Sequence, residues 1–267
     1  MTPFKKLFLL TILAGACQLT VRSQTTTKGK TVLLDYYYNN ETKKGKDGKS
    51  FRYHYTWEDT TWSGYSGWGN MFRQLGASTQ SLETAPTTAN LQNASVYIIV
   101  DPDTEKETPK PNFIQPQDIK AITSWVKKGG VLVLLANDSG NCEFTHLNML
   151  AKKFGVRFKE DRYNLVFNDQ FEQGALKVPA DHAILKTAKK VFIKELSTLE
   201  LKKPAMAVFQ DKGNIIMSVT PFGKGTVLCI GDPWIYNEYI GGKKLPDDFE
   251  NPKAAADLAR WLLEKAR

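Results

Sequence analysis

The sequence predicts an α/β fold with a mainly parallel sheet and an antiparallel C-terminal portion. Up to Gly155, short apolar runs alternate with amphipathic helical segments, the order that builds parallel strands joined by right-handed crossovers. Beyond that the pattern changes. Ala205–Gln210 and Asn214–Thr220 flank Asp211-Lys212-Gly213, a hairpin signal, and a second turn at Phe222-Gly223-Lys224-Gly225 feeds another apolar run.

Thr31 to Tyr37 is β-rich and apolar between Gly29 and Asn39-Asn40-Glu41, and reads as a buried first strand. Residues 42–64 are an insert of Gly, Lys and aromatics, in which Gly45, Gly48 and Gly64 predict a long loop. Trp68–Leu75 reads as a short amphipathic helix stopped by Gly76, and Ser78–Leu82 as a second strand. Val96–Val100 is a strand that ends abruptly at Asp101-Pro102-Asp103. The helix over 116–128 opens on Pro116, buries Ile119, Ile122, Trp125 and Val126, and closes on Gly129-Gly130. Val131–Leu135 is the next strand, running into Ala136-Asn137-Asp138, and Glu143–Phe154 is helical. Thr226–Ile230 is the last strand of the series, and Pro252–Ala266 packs back through Ala255, Leu258, Ala259, Leu262 and Leu263. No composition break divides residues 24–267, so one domain is expected.

The first residues carry Lys5 and Lys6, an apolar stretch Leu7–Ala16 and a polar end at Val21-Arg22-Ser23. That layout predicts a signal peptide over residues 1–23, and an exported, periplasmic or secreted protein; the apolar run is too short to be a transmembrane helix. A competing reading takes Ala14-Gly15-Ala16-Cys17 as a lipoprotein box with a lipid anchored on Cys17. Removing Lys5, Lys6 and Arg22 lowers the formal charge from +8 to +5. The remaining lysines fall in scattered pairs, not in a stripe that would track phosphates, so nucleic acid is not an expected partner. A chain of this size buries about 70–75% of its unfolded surface and needs no disulfide staples. Cys229 sits in an apolar strand; Cys142, in a polar loop, is open to a nucleophile or a disulfide reading.

Function is read from the strand ends. One sheet would bring Asp35, Tyr37 and Asn39 together with Asp101 and Asp103, with Asn137 and Asp138, and with Asp232, Trp234, Asn237 and Glu238. The carboxyl ends of the strands are where open α/β sheets bind ligands. The insert adds Trp57, Trp62 and Trp68 with Tyr53, Tyr55 and Tyr65, beside His54, Glu58 and Asp59. Aromatic faces next to carboxylates and amides suit sugar rings, although the insert equally well folds its aromatics onto the domain body. Glu143 and His146, three residues apart on a helix, complete the expected ligand-binding set near the rim. Glycoside hydrolysis needs two carboxyls, for which Asp101, Asp138, Asp232 and Glu238 are the candidates, with Asp103 beside them. No second His or Cys follows His146 at zinc-ligand spacing, and the calcium-loop, nucleophile-elbow, phosphate-loop and dinucleotide patterns are missing. No metal and no cofactor is therefore assigned.

Two local patterns resemble the class I glutamine amidotransferase-like fold, a flavodoxin-type three-layer sandwich: Trp125-Val126-Lys127-Lys128-Gly129-Gly130 before Val131–Leu135, and Gly223-Lys224-Gly225-Thr226-Val227 before Gly231-Asp232. Working amidotransferases carry a cysteine on the tight turn after the central strand. Here that turn is Asn137-Asp138-Ser139 and Cys142 comes three residues too late, which argues against glutaminase chemistry. His54-Tyr55-Thr56-Trp57-Glu58-Asp59, Asp101-Pro102-Asp103-Thr104, Ala136-Asn137-Asp138 and Gly231 to Tyr239 also look like the uncharacterised domain found behind unsaturated rhamnogalacturonyl hydrolases of gut-type Bacteroidetes. That resemblance implies an exported accessory domain of pectin-type glycan use that binds an oligosaccharide at its strand ends. The alternatives are a glycoside hydrolase using paired strand-end carboxylates and a non-catalytic assembly domain.

Overall fold

Two apolar pentapeptides set the centre of the molecule. Val96–Val100 and Val131–Leu135 are buried at every position, which requires cover on both faces of the sheet. The computed structural model describes residues 27–267; the expected signal peptide over 1–23 and the Cys17 anchor lie outside the described residues.

In chain order the first half comprises β1 (Thr31–Asp35), β2 (Thr42–Lys44), β3 (Ser50–Arg52), α1 (Ser66–Gln74), β4 (Ser78–Leu82), α2 (Thr88–Leu91), β5 (Val96–Val100), α3 (Pro116–Lys128), β6 (Val131–Leu135) and α4 (Phe144–Ala151). The second half comprises β7 (Val156–Phe158), β8 (Ala175–Lys177), β9 (Lys190–Phe192), β10 (Leu199–Leu201), β11 (Met206–Asp211), β12 (Asn214–Phe222), β13 (Gly225–Ile230), α5 (Asn237–Ile240) and α6 (Asn251–Lys265). The main sheet runs β4-β1-β5-β6-β13-β12-β10-β7, with β11 paired to β12. Its pairings from β4 to β13 are parallel, and those from β13 onward are antiparallel. The fold is thus mixed α/β with a mainly parallel sheet.

Alternation along the strands splits the core in two. Val32, Leu34, Ile98, Val133 and Leu228 pack with Trp68 and Phe72 of α1 and with Leu258 and Leu262 of α6. Leu33, Tyr97, Ile99, Leu132, Leu134 and Cys229 pack with Ile122 and Val126 of α3 and with Leu147 and Leu150 of α4. Each fully buried Leu, Ile or Val contributes about 1.5–3 kcal/mol through surface removed from water, so these two clusters hold the strand ends in place.

Local chemistry adjusts the expected boundaries. The first strand stops at Asp35 and not at Tyr37, because the Asp35 carboxylate accepts the backbone N–H of Tyr37 (3.0 Å) and of Tyr38 (2.6 Å) and turns the chain out of the sheet. The insert is not all loop: β2 and β3 form an antiparallel hairpin, with Lys43 over the rings of Phe51 and Tyr53. The helix expected over Glu143–Phe154 tightens into a 3₁₀ turn at Lys152–Phe154 before Gly155 at φ 77°, as helix ends commonly do.

Candidate functional site

Three adjacent parallel strands end in register. Val100 pairs with Leu135, and Leu135 with Ile230, so the next residues, Asp101, Ala136 and Gly231, stand level at one edge. Asp101 donates its N–H to the Leu135 carbonyl (2.8 Å) and Ala136 to that of Ile230 (3.0 Å). Gly231 has to be glycine, because a β-carbon there would collide with the Ser197 carbonyl oxygen. This close approach brings the loop after β9 against the end of β13 and sets Asp232 beside Lys194 and Glu195.

The result is a cleft of about 260 Å³ walled by His54 and Tyr55 from the insert, Asp101 and Glu107 after β5, Asn137 and Asn141 after β6, Lys194 and Glu195 after β9, and Asp232, Pro233 and Tyr236 after β13. Hollows of about 510 Å³ beside Trp62 and about 710 Å³ between Lys120, Met149 and Phe222 are larger but have no carboxylate in their walls; a third, of about 460 Å³, is walled by Glu58, Asp59 and Glu83 with Arg52, acids of the insert and of the end of the edge strand β4 and not of the central strand ends.

Two of the acids in the cleft are almost wholly buried, Asp101 at 3% and Asp232 at 6% exposure. Burial pushes the Asp101 carboxyl well above the usual carboxylate range, against the 2.9 Å hydrogen bond that Asn137 Nδ2 donates to its Oδ2. Its Oδ1 has no partner among the described residues. Burial likewise raises Asp232 well above that range, against the pull of Lys194, and raises Glu107. Desolvation therefore favours the uncharged acid at both aspartates, a form that donates as well as accepts hydrogen bonds.

Backbone strain is concentrated here. Nine non-glycine residues among those described adopt positive φ, and four of them wall this one cleft: His54 (68°), Tyr55 (52°), Asp101 (42°) and Glu195 (49°). Each such conformation costs about 1–3 kcal/mol and persists where surrounding structure over-determines it.

Of the residues expected from the sequence, Asp101, Asn137 and Asp232 line the cleft. Asn39 supports it by donating to the Asp101 carbonyl (2.9 Å). Others stand elsewhere. Asp35 is the turn-forming acid of β1, bonded also to the Tyr97 hydroxyl and raised by burial to about 7. Tyr37 offers its carbonyl to Asn112. Asp103 is sealed against Asn40 and Thr108. Asp138 is paired with Arg162 and Asn141, at 2.5 Å each. Glu143 caps α4 by accepting the His146 N–H (3.0 Å), and His146 stacks on Phe113.

Trp57 donates Nε1 to the Gln80 carbonyl and packs on Tyr65, Trp68 and Phe72, while Trp234 is fully buried. Of the insert's aromatics, Tyr55 and Trp57 are core, Tyr53 is half-buried, and Phe51 (46%) and Trp62 (61%) are exposed. Asp59 holds the turn around Thr61. Asn237 ties that turn to the end of β13 by bonds to Gly67, Asp59, Thr61 and Ser66, and Glu238 follows it with its N–H on the Trp62 carbonyl.

His54, Tyr55, Glu107, Asn141, Lys194, Glu195 and Tyr236 are cleft residues outside the expected set. The sequence signal for some of them was present: His54 and Tyr55 adjoin the acidic Glu58-Asp59, Tyr236 belongs to the crowded stretch after β13, and Lys194-Glu195 interrupts an apolar run.

Cys142 is buried and its thiol is pushed well above its ordinary value by burial, so it is not an activated nucleophile. Cys142 and Cys229 are both free. Among the described residues no cluster of three or more His, Cys, Asp or Glu side chains is arranged to hold a metal ion, and no helix is long and apolar enough to cross a membrane.

Several solved structures share the fold. The N-terminal domain titled mmIFT52 superposes with a TM-score of 0.64 at 18% identity, over 87% of this chain and 97% of that one. Cytoplasmic protein STM1381 of Salmonella typhimurium LT2 gives 0.59 at 15% identity, over 89% and 100%. Cytoplasmic protein STM3548 of Salmonella typhimurium gives 0.54 at 15% identity, over 88% and 97%. At these identities the likeness is one of fold. No curated protein matches the sequence. Residues 58–241, which contain all of the cleft except His54 and Tyr55, match the family model described as Domain of unknown function (DUF4350), and the chain belongs to that family.

Proposed function

We propose that the strand-end cleft binds a small glycan fragment, and that the chain serves as an exported accessory domain in the use of pectin-like, rhamnogalacturonan-type glycans. The observation that carries the binding reading is the pairing of two buried acids, Asp101 and Asp232, whose carboxyls burial pushes well above the usual range, with the amides of Asn137 and Asn141 and the rings of Tyr55 and Tyr236 in one cleft. A polyol offers each hydroxyl as donor and acceptor at once, and protonated carboxyls and amides answer both roles. The volume of about 260 Å³ lies just below the ~300 Å³ lower end of drug-sized pockets and suits one or two sugar units.

The finer description of the fold, a flavodoxin-like three-layer sandwich of the glutamine amidotransferase type, is supported by two features. The parallel strands β4, β1, β5, β6 and β13 follow the order 2-1-3-4-5, and separate cores lie on the two sheet faces. The buried, unactivated Cys142 supports a version of that fold without glutaminase chemistry. Export is supported by the basic, apolar and polar succession of residues 1–23. The pectin context rests on the sequence resemblance alone.

Isothermal titration with rhamnogalacturonan oligosaccharides tests the binding reading. Wild type binds, and Asp232→Ala, folded by its melting curve, binds about tenfold more weakly, the loss of one hydrogen bond worth about 1.4 kcal/mol. Absence of binding across uronate-containing and neutral oligosaccharides refutes it. A second reading, a glycoside hydrolase, is favoured by the same two acids sharing one cleft.

A further inference from the structure

The imidazole of His54 is the most elaborately fixed side chain in the cleft. Tyr53, His54 and Tyr55 are consecutive, yet their rings stack: Tyr53 on His54 at 5.7 Å and 14°, His54 on Tyr55 at 4.0 Å and 22°. Neighbouring side chains on an extended chain point to opposite sides. Bringing three in a row face to face takes an unusual backbone, and positive φ at both His54 and Tyr55 supplies it. A third restraint acts at the ring edge, where His54 Nδ1 lies 2.9 Å from Glu41 Oε1. A fourth holds the backbone, as the His54 N–H donates to Asp59 Oδ2 at 3.1 Å.

Glu41 is 8% exposed. Burial opposes its ionisation, but the hydrogen bond and charge of His54, with a hydrogen bond from Tyr53, hold its carboxyl below the usual range. In the neutral imidazole, an ionised Glu41 accepts the proton on Nδ1 and so places the lone pair on Nε2, which makes no hydrogen bond among the described residues. The His54 side chain is 24% exposed and walls the cleft together with Asp101. A carboxylate that fixes an imidazole tautomer at a cleft holding a buried acid is the arrangement of an acid–base pair. Positive φ at His54, Tyr55 and Asp101 is the kind of backbone strain that reactive constellations retain.

We propose that His54, oriented by Glu41, is the general base of a glycoside-hydrolysing site in this cleft, with Asp101 as the acid. This rests on the reading that the cleft holds a glycan and adds turnover to it. Water attacks the anomeric carbon and gives its proton to His54 Nε2. The bond from that carbon to the glycosidic oxygen breaks, its electron pair staying on the oxygen, which takes the carboxyl proton of Asp101. One water is consumed, a free sugar and an alcohol are released, and the proton on His54 returns to Asp101 through solvent. His54 and Asp101 are the catalytic residues, and Glu41 is a positioning residue. Glu41 and His54 precede the residues matched by the family model, and Asp101 lies within them.

The test uses the described chain with a panel of 4-nitrophenyl glycosides of neutral and uronic sugars, alongside calorimetric binding of oligosaccharides. Wild type is expected to release 4-nitrophenol. His54→Gln and Asp101→Asn should lower kcat by about 10²-fold or more with KM within about threefold, the range for loss of a general base or acid. Glu41→Gln should lower kcat at unchanged KM, and Glu41→Asp should recover part of it, a split that a merely structural role would not produce.

His54→Gly guards against a folding failure, since glycine adopts φ 68° without strain, and added imidazole should restore part of its turnover. Wild type that binds oligosaccharide but releases no product from any glycoside overturns this inference and leaves the binding reading standing. Neither binding nor product overturns both. A His54→Gln variant with wild-type kcat, or a His54→Gly variant that imidazole does not restore, also overturns it.

Discussion

Asp35 offers a perturbation whose size follows from the structure. Its carboxyl is 1% exposed and accepts the N–H of Tyr37 and Tyr38 on one oxygen and the Tyr97 hydroxyl on the other. Burial dominates over these bonds and over the charge of Arg52, and raises the group from 3.8 to about 7. Between those two values the folded chain keeps a proton that the unfolded chain has released. The stabilisation associated with Asp35 is therefore fully present below pH 3.8 and is lost as the pH rises through about 7. About two of the pH units in that window lie above pH 5, so this one group should cost the folded state about 3 kcal/mol between pH 5 and pH 8, at 1.36 kcal/mol per unit.

Asp35→Asn keeps an oxygen for the two backbone donors and an amide for the Tyr97 oxygen, and has nothing to titrate. Urea unfolding of wild type and variant at pH 5 and pH 8, followed by tryptophan fluorescence, isolates the effect as a difference of differences. The variant should gain about 3 kcal/mol on wild type over that interval. Equal pH dependence of the two proteins refutes the argument that Asp35 is held protonated by burial.

Other expectations follow from burial and shape. Trp57→Ala should cost about 3–5 kcal/mol in urea unfolding, while Trp62→Ala should stay within about 0.5 kcal/mol, because Trp57 packs inside the aromatic cluster and Trp62 is exposed. Gly231→Ala should destabilise by about 3 kcal/mol or more, read as a lowered melting midpoint, since its β-carbon meets the Ser197 carbonyl. Cys142 and Cys229, buried and with thiols raised by burial, should react with a disulfide reagent only after denaturant is added; native-state labelling mapped to either of these two cysteines would contradict this.

How much of this was legible before the structure varies with the range of the interaction. β5 and β6 fall on the residues expected, because a strand buried on both faces is an uninterrupted apolar run bounded by polar residues. Asp101, Asn137 and Asp232 were legible for the same reason, as the first polar groups after such runs. Asp138 looked identical at that level, yet its role is taken by Arg162, a partner 24 residues away that no local pattern connects to it. The insert's tryptophans were ambiguous because the same rings that stack on sugars also fill cores, and only tertiary packing separates Trp57 from Trp62. His54, Tyr55 and Glu195 escaped the expected set because their aim depends on positive φ, a conformation that non-glycine residues take only when the surroundings impose it.

The proposed glycan site rests on Asp101 and Asp232, whose carboxyls share one cleft and are pushed well above the usual range by burial. Carbon-13 NMR of the aspartate side-chain carboxyls, titrated with pH in the absence and presence of rhamnogalacturonan oligosaccharide and assigned with Asp101→Asn and Asp232→Asn, tests it most directly. Both carboxyls should remain protonated after the exposed aspartates have ionised, and both resonances should shift when oligosaccharide is added. Titration of the two alongside the exposed aspartates, or resonances that do not move with any oligosaccharide, would contradict the account.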